Sequence, residues 1–186
     1  VGTPTQEKMV EEVSTPEEAI SQAPAAAQDE TAIVASGTCG DQGDNLTWTL
    51  DSAGTLTISG TGAMMNYEWP GEDGIHAPWI LNADRIQTIE FGAGITTIGN
   101  FAFWYCRNLI STKIPYGVTS IGKNAFEGCS SLADILIPEG VISIGDWAFD
   151  SCIGLTNIKL PKSVASIGNY TFSGCTGLTD IVLPES

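Results

Sequence analysis

The sequence predicts a repeat solenoid, mainly β, with short strands joined by short helical or 3-10 turns. Four of the five cysteines recur every 23 residues, at Cys106, Cys129, Cys152 and Cys175. Each lies in one pattern, Ile/Leu-Pro-x-x-Val-x-x-Ile-Gly-x-x-Ala/Thr-Phe-x-x-Cys-x-x-Leu-x-x-Ile, apart from local departures. A period of about 20 to 30 residues with fixed apolar positions is typical of solenoids, whose units bury their apolar edges only against one another.

Residues 1–34 are predicted to be a flexible acidic tether. They hold seven acidic residues, one lysine and no aromatic residue, so they bury too little apolar surface to offset the entropy of ordering. Two short helices, at residues 7–13 and 16–25, are the alternative. Residues 35–76 are predicted to form an N-terminal β-hairpin cap. Residues 46–50 and 55–58 alternate at period two around a turn at 51–54, and a first coil needs its open edge covered.

Residues 77–186 are predicted to form the solenoid. A degenerate half coil spans 77–90, full coils span 91–113, 114–136, 137–159 and 160–182, and residues 183–186 begin a fifth. A helical turn at residues 124–126 is expected to place Phe126 inward. The glycine that follows the second strand of each coil is expected to need a positive φ. The predicted core ladders are Val118/Val141/Val164, Ile98/Ile121/Ile144/Ile167, Phe103/Phe126/Phe149/Phe172, the four cysteines and Leu109/Leu132/Leu155/Leu178.

The cysteine ladder is interpreted as packing of buried thiols. Equivalent residues of successive coils lie about 4.8 Å apart and point in parallel, which misses the Cβ separation and dihedral angle of a disulfide. A zinc site would use close cysteine pairs with histidines, and the chain has one histidine, His76. Disulfides and a metal are therefore the weaker alternatives. Cys39, outside the ladder, is either core of the cap, which we favour, or an exposed reactive thiol.

No catalytic residue, metal site or cofactor is predicted. The sequence contains no G-x-S-x-G, H-E-x-x-H or Walker-type loop. Glu68, Glu72 and Asp73 cluster near Trp69 and formally allow a carboxylate pair of the glycosidase kind, but a solvated acidic loop is favoured. Asp41 and Asp44 are assigned to a turn in preference to a Ca²⁺ site, because the distal glutamate of an EF-hand is absent.

Two rows of variable residues are the candidate binding surfaces. The first lies on the strand face, which solenoids present as an extended binding surface, and the second is an aromatic row with one residue per coil. A plain solvated face and rings that shield the core are the alternatives. The strand-face candidates are Ser111, Lys113, Asp134, Leu136, Asn157, Lys159, Asp180 and Val182. The aromatic row is Phe101, Trp147 and Tyr170, with Asn124 at the fourth position.

The string IGxxAFxxCxxLxxIxLP, repeated at 23 residues, resembles the BspA-like leucine-rich repeats of bacterial surface proteins. The leader SGTCGDQGDNLTWTLDSAGTLTISGTGAM followed by APW is similar to the segment that precedes such repeats. The resemblance covers residues 36–186. It implies a leucine-rich-repeat fold, a secreted or cell-surface location with the signal peptide removed, and an adhesin-like role towards host extracellular-matrix proteins. It carries over no catalytic residue.

The predicted function is therefore a non-enzymatic, exported protein-binding module. A structural spacer within a larger surface protein and a glycan-binding module are the alternatives. The net charge of −15 disfavours nucleic acid as a partner, and no apolar run reaches the roughly 18 residues of a membrane span. Self-association end to end through an uncapped C-terminal coil is a further expectation.

Overall fold

The computed structural model describes Gly2, residues 31–71 and residues 73–182. Most of the predicted tether and the predicted start of a fifth coil lie outside the described residues. The described chain begins with an antiparallel meander of three strands, β1 Ile33–Gly40, β2 Gly43–Asp51 and β3 Thr55–Ala63. The Asp51 carboxylate accepts the N–H groups of Ala53 and Thr55, at 3.0 and 2.8 Å. These bonds hold the turn between β2 and β3, which form the predicted hairpin.

Beyond the meander, each coil contributes two short parallel strands. The first strands of successive coils start 23 residues apart, as do the second strands from β7 onward, so the predicted repeat solenoid is confirmed. A single 3-10 helix among the described residues, Ile80–Arg85, precedes them. The first strands are β4 Thr88–Phe91, β6 Ser111–Lys113, β8 Asp134–Leu136, β10 Asn157–Lys159 and β12 Asp180–Val182. The second strands are β5 Gly94–Ile98, β7 Ser120–Ile121, β9 Ser143–Ile144 and β11 Ser166–Ile167.

Strand β3 belongs to both ladders. Its first half, from Thr55 to Ile58, pairs in parallel with β4, and its second half, from Thr61 to Ala63, pairs in parallel with β5. The ladders therefore start one strand before the repeat pattern does. The pattern does not reveal this because residues 64–76 separate β3 from the first degenerate unit, and β3 itself lacks the repeated sequence.

A column of stacked rings runs through the core. Phe103, Phe126, Phe149 and Phe172 follow one another with centroid separations of 5.1, 5.4 and 5.7 Å. Trp79 extends the column by one ring, 5.6 Å from Phe103, and its indole N–H donates to Ala102 O at 2.8 Å. The Val, Ile and Leu ladders are buried beside it in the earlier coils. In the last described coil Val164 and Leu178 are only partly buried, and Ile167 is 43% exposed. Its strand, β11, ends its ladder among the described residues and has a neighbour on one side only.

The prediction that the repeated glycines need a positive φ is wrong. None of Gly99, Gly122, Gly145 and Gly168 has a positive φ. Each instead packs its Cα against the backbone of the preceding turn of the chain, so that a Cβ would overlap backbone atoms there. At Gly145 that Cβ would lie 2.6 Å from Lys123 N and 2.8 Å from Gly122 C. The glycine is required by the close approach of two coils.

Candidate interaction surfaces

All eight predicted strand-face residues are exposed. The first strands of the coils alternate exposed, buried, exposed, as in Ser111, Thr112 and Lys113 of β6. Register aligns Ser111 with Asp134 and Lys113 with Leu136, and likewise Asn157 with Asp180 and Lys159 with Val182. Strands β8 and β10 lie next to each other without a continuous ladder. The structure thus presents the predicted residues as two rows on one side of the solenoid.

The strand face extends one strand further than the sequence rows indicated. Thr88 and Glu90 of β4 are exposed on either side of buried Ile89. They line, together with the strand-face residues of β6 and β8, a cavity of about 670 Å³. Thr88 and Glu90 lie 23 residues before Ser111 and Lys113. The repeat spacing in the degenerate unit could therefore have predicted both positions.

Left-handed backbone marks the aromatic row. Phe101, Asn124, Trp147 and Tyr170 have φ values between 51° and 57°, a region that L-residues other than asparagine and aspartate seldom adopt. Phe101, Asn124 and Trp147 bond to the next coil through their backbone N–H; Asn124 N donates to Asp146 O and Trp147 N to Asn169 O, at 2.9 and 3.0 Å. The short helical turn predicted at residues 124–126 is therefore a turn that opens with a left-handed residue.

The four positions of the aromatic row differ in residue type and in exposure. Trp147 and Tyr170 stack at 5.4 Å with nearly parallel rings, and Tyr170 is 65% exposed. The Lys123 ammonium lies over the Trp147 ring, 5.5 Å from its centroid. Phe101 is half-buried against the core, and Asn124 is buried. A groove of about 430 Å³ opens beside Asn124; its lining residues are Trp69, Phe101, Lys123, Asn124, Glu127, Trp147 and Asp150.

The four ladder cysteines lie in the core, and Cys39 lies in the core of the meander. The thiols of Cys129, Cys152 and Cys175 donate to carbonyls 26 residues earlier, at 3.0 to 3.2 Å. Sequence reasoning missed this hydrogen-bonding role. Burial raises the pKa of Cys106 and Cys129 well above the usual thiol value and that of Cys39 to about 12. The thiols of Cys39, Cys106 and Cys129 therefore stay protonated at neutral pH. The hydrogen bonds of Cys129, Cys152 and Cys175 link successive coils.

The remaining polar candidates do not form a site among the described residues. Glu68, Trp69 and Asp73 are exposed on the loop before the 3-10 helix, and Glu72 lies outside the described residues. Within residues 31–71 and 73–182, no group of three or more metal-binding side chains converges. The Asn45 carboxamide accepts the Gln42 N–H at 3.0 Å and holds the turn that contains Asp41. Asp44 lies just after that turn, on β2, so its assignment to a turn is wrong. No helix in the described part of the chain combines the length and apolarity of a membrane span.

Comparison with known proteins agrees with this architecture. The model of the BspA type leucine rich repeat region matches residues 82–186 in six copies. A leucine-rich repeat protein from Eubacterium ventriosum is 32% identical with a TM-score of 0.64, over 79% of this chain and 40% of that one. A Treponema pallidum leucine-rich repeat protein is 26% identical with a TM-score of 0.55, over 75% and 69%.

The pneumococcal vaccine antigen PcpA shares the fold, with 17% identity and a TM-score of 0.54, over 72% of this chain and 28% of that one. No curated protein sequence matches the chain at a significant level. The chain spans less than half the length of the Eubacterium protein.

Proposed function

Because the chain belongs to the BspA type leucine-rich repeat family, we propose that it is an exported or cell-surface, non-enzymatic module that binds a protein ligand across its strand face. The observation that carries this proposal is the strand face itself. Strands β4, β6 and β8 present a double row of exposed side chains around a cavity of about 670 Å³.

The composition of this face suits a protein ligand. Leu136 is 51% exposed in the middle of the surface, with Glu90 and Lys113 preceding it in the same row. Protein interfaces commonly have an apolar centre surrounded by a rim of polar and charged groups. The rigid ladder beneath holds the side chains in fixed register, so little entropy is lost on binding.

Host extracellular-matrix proteins are the ligand class that we propose. The test is biolayer interferometry of the chain against immobilised matrix proteins, with the double variant Lys113→Glu/Leu136→Glu. We expect its binding to be at least tenfold weaker, about 1.4 kcal/mol. Lys162→Glu is the matched control, because Lys162 is exposed but belongs to neither the strand face nor its cavity.

Two outcomes would contradict the proposal. One is a double variant that binds as tightly as the wild type while the Lys162 control does too. The other is the absence of any binding tighter than about 10 µM, which corresponds to about −7 kcal/mol. The second outcome would favour the alternative of a structural spacer.

A further inference from the structure

The groove beside Asn124 is a slot between two aromatic positions, and we call its lining residues the ring slot. Three of four coils place a ring in this row, whereas the second coil places the smaller Asn124 there. Successive coils lie about 4.8 Å apart, so the positions of Phe101 and Trp147 are about 10 Å apart. Adjacent rings of the row stack at 5.4 Å. This spacing fits one planar group between two rings, and the Lys123 side chain now lies there, over the Trp147 ring.

The polar groups of the ring slot are mostly hydrogen-bond acceptors. Glu127 and Asp150 contribute carboxylates. Asn124 lines the slot although it is only 7% exposed, and its Oδ1 has no hydrogen-bond partner among the described residues. The other end of that amide donates to Glu127 Oε2. A buried acceptor without a partner is uncommon in folded proteins. We therefore expect a ligand in the slot to supply a hydrogen-bond donor to Asn124 Oδ1.

The ring faces of the slot already accommodate a positive charge. The ammonium of Lys123 lies 5.5 Å from the centroid of the Trp147 ring, a cation–π arrangement. This lysine is the slot's only cationic side chain, against two carboxylates. The chain as a whole carries a net charge of −15, which attracts basic partners over a distance.

Resting on the protein-binding function proposed above, we propose that the ring slot takes an arginine side chain of the protein ligand. A guanidinium is planar, stacks on aromatic faces, and carries five N–H donors and no acceptor. It would displace the Lys123 ammonium from the Trp147 ring, stack between Phe101 and Trp147, and donate to Glu127, Asp150 and Asn124 Oδ1. A sugar ring would bring as many acceptors as donors, and a lysine ammonium is not flat. The slot thus selects arginine over both.

The test uses three acetylated, amidated peptides with glycine alternating with arginine, lysine or citrulline, titrated into the full chain and followed by tryptophan fluorescence and calorimetry. Citrulline keeps the planar shape of arginine without its charge. We expect the arginine peptide to bind about tenfold more tightly than the lysine peptide, and the citrulline peptide not to bind. Raising the salt concentration should weaken the binding of the arginine peptide.

Two slot variants and one control complete the experiment. Asn124→Phe supplies the missing ring of the row and should abolish peptide binding, and Glu127→Gln should weaken it about tenfold. Asp44→Asn, an exposed carboxylate on β2 outside the slot, should leave the affinity unchanged. Circular dichroism of each variant establishes that the fold is retained.

Several outcomes would overturn the inference. These are equal binding of the citrulline and arginine peptides, an unchanged affinity in folded Asn124→Phe, and Trp147-dependent binding on a glycan array without peptide binding. The strand-face double variant separates the two proposals. It should lose the matrix ligand and still bind the arginine peptide, so a failure of one proposal is distinguishable from a failure of the other.

Discussion

Replacing Gly145 with alanine tests why glycine recurs at this position of every coil. The new Cβ would lie 2.6 Å from Lys123 N and 2.8 Å from Gly122 C. Both are backbone atoms, so no side-chain rotation relieves the overlap. Adding a methyl group to a close-packed site costs about 1–3 kcal/mol. We expect about 3 kcal/mol, because relief requires the coils to separate and lengthens the Gly145 N–H to Ile121 O bond of 2.9 Å.

The assay is guanidinium unfolding, followed in parallel by far-ultraviolet circular dichroism and tryptophan fluorescence. Gly174→Ser is the matched control. Gly174 has a φ of 67°, yet the same position of other coils holds Tyr105 and Ser151 at 55° and 57°. The control should cost about 1 kcal/mol, the usual cost of a left-handed L-residue. If Gly145→Ala costs no more than Gly174→Ser, the close approach of coils does not explain the repeated glycine.

Two further predictions concern the core. Phe126→Ala should lower the free energy of unfolding by about 3–5 kcal/mol because rings flank Phe126 on both sides. Phe172→Ala should lower it by about half as much because Phe172 is half-buried. Equal losses of the two variants in guanidinium unfolding would contradict this. Burial raises the pKa of Cys39 from 9.0 to about 12, so only the unfolded state loses this proton between those values. The contribution of Cys39 to the free energy of unfolding should be intact below about pH 9 and fall by about 1.4 kcal/mol per pH unit above it. The test is unfolding of the wild type and Cys39→Ala at pH 7 to 11. An equal dependence of the unfolding free energy on pH in the two proteins would contradict the prediction.

The apolar repeat was readable from the sequence because residues that recur with the period of a solenoid occupy equivalent places in successive coils. A step of 23 residues assigns Phe126, Cys129 and Leu132 to the core without any knowledge of backbone geometry, and all three are buried. The same step places Ser111 and Asp134 opposite each other on neighbouring strands. Residue type and spacing were sufficient for both inferences.

Backbone geometry could not be read in the same way. A glycine is compatible both with a positive φ and with a close approach, and the sequence does not separate the two at Gly145. Conversely, the left-handed positions hold Phe101, Trp147 and Tyr170, residue types that give no sign of that conformation. At Phe101 and Trp147 the conformation goes with an N–H bond to the next coil, which exists only once the coils are stacked.

Of the two candidate surfaces, only the strand face could be predicted in full from the sequence. The strand-face rows were found from the alternation of side chains along a strand. The ring slot was not, because it depends on a residue that departs from its row. Asn124 looks unremarkable alone, and only the rings in the coils on either side give its small size a consequence.

The contacts between coils have a constant spacing. The Thr112 hydroxyl donates to Ile89 O and the Thr179 hydroxyl to Thr156 O, each 23 residues earlier, while the thiols reach 26 residues back. An in-frame duplication of one repeat in the gene would therefore supply a new coil together with the partners of its own bonds. Recombination between repeats can lengthen or shorten the array without redesigning its core. It would also carry the variable surface residues with it, so that new combinations of binding groups arise by the same genetic event that changes the length.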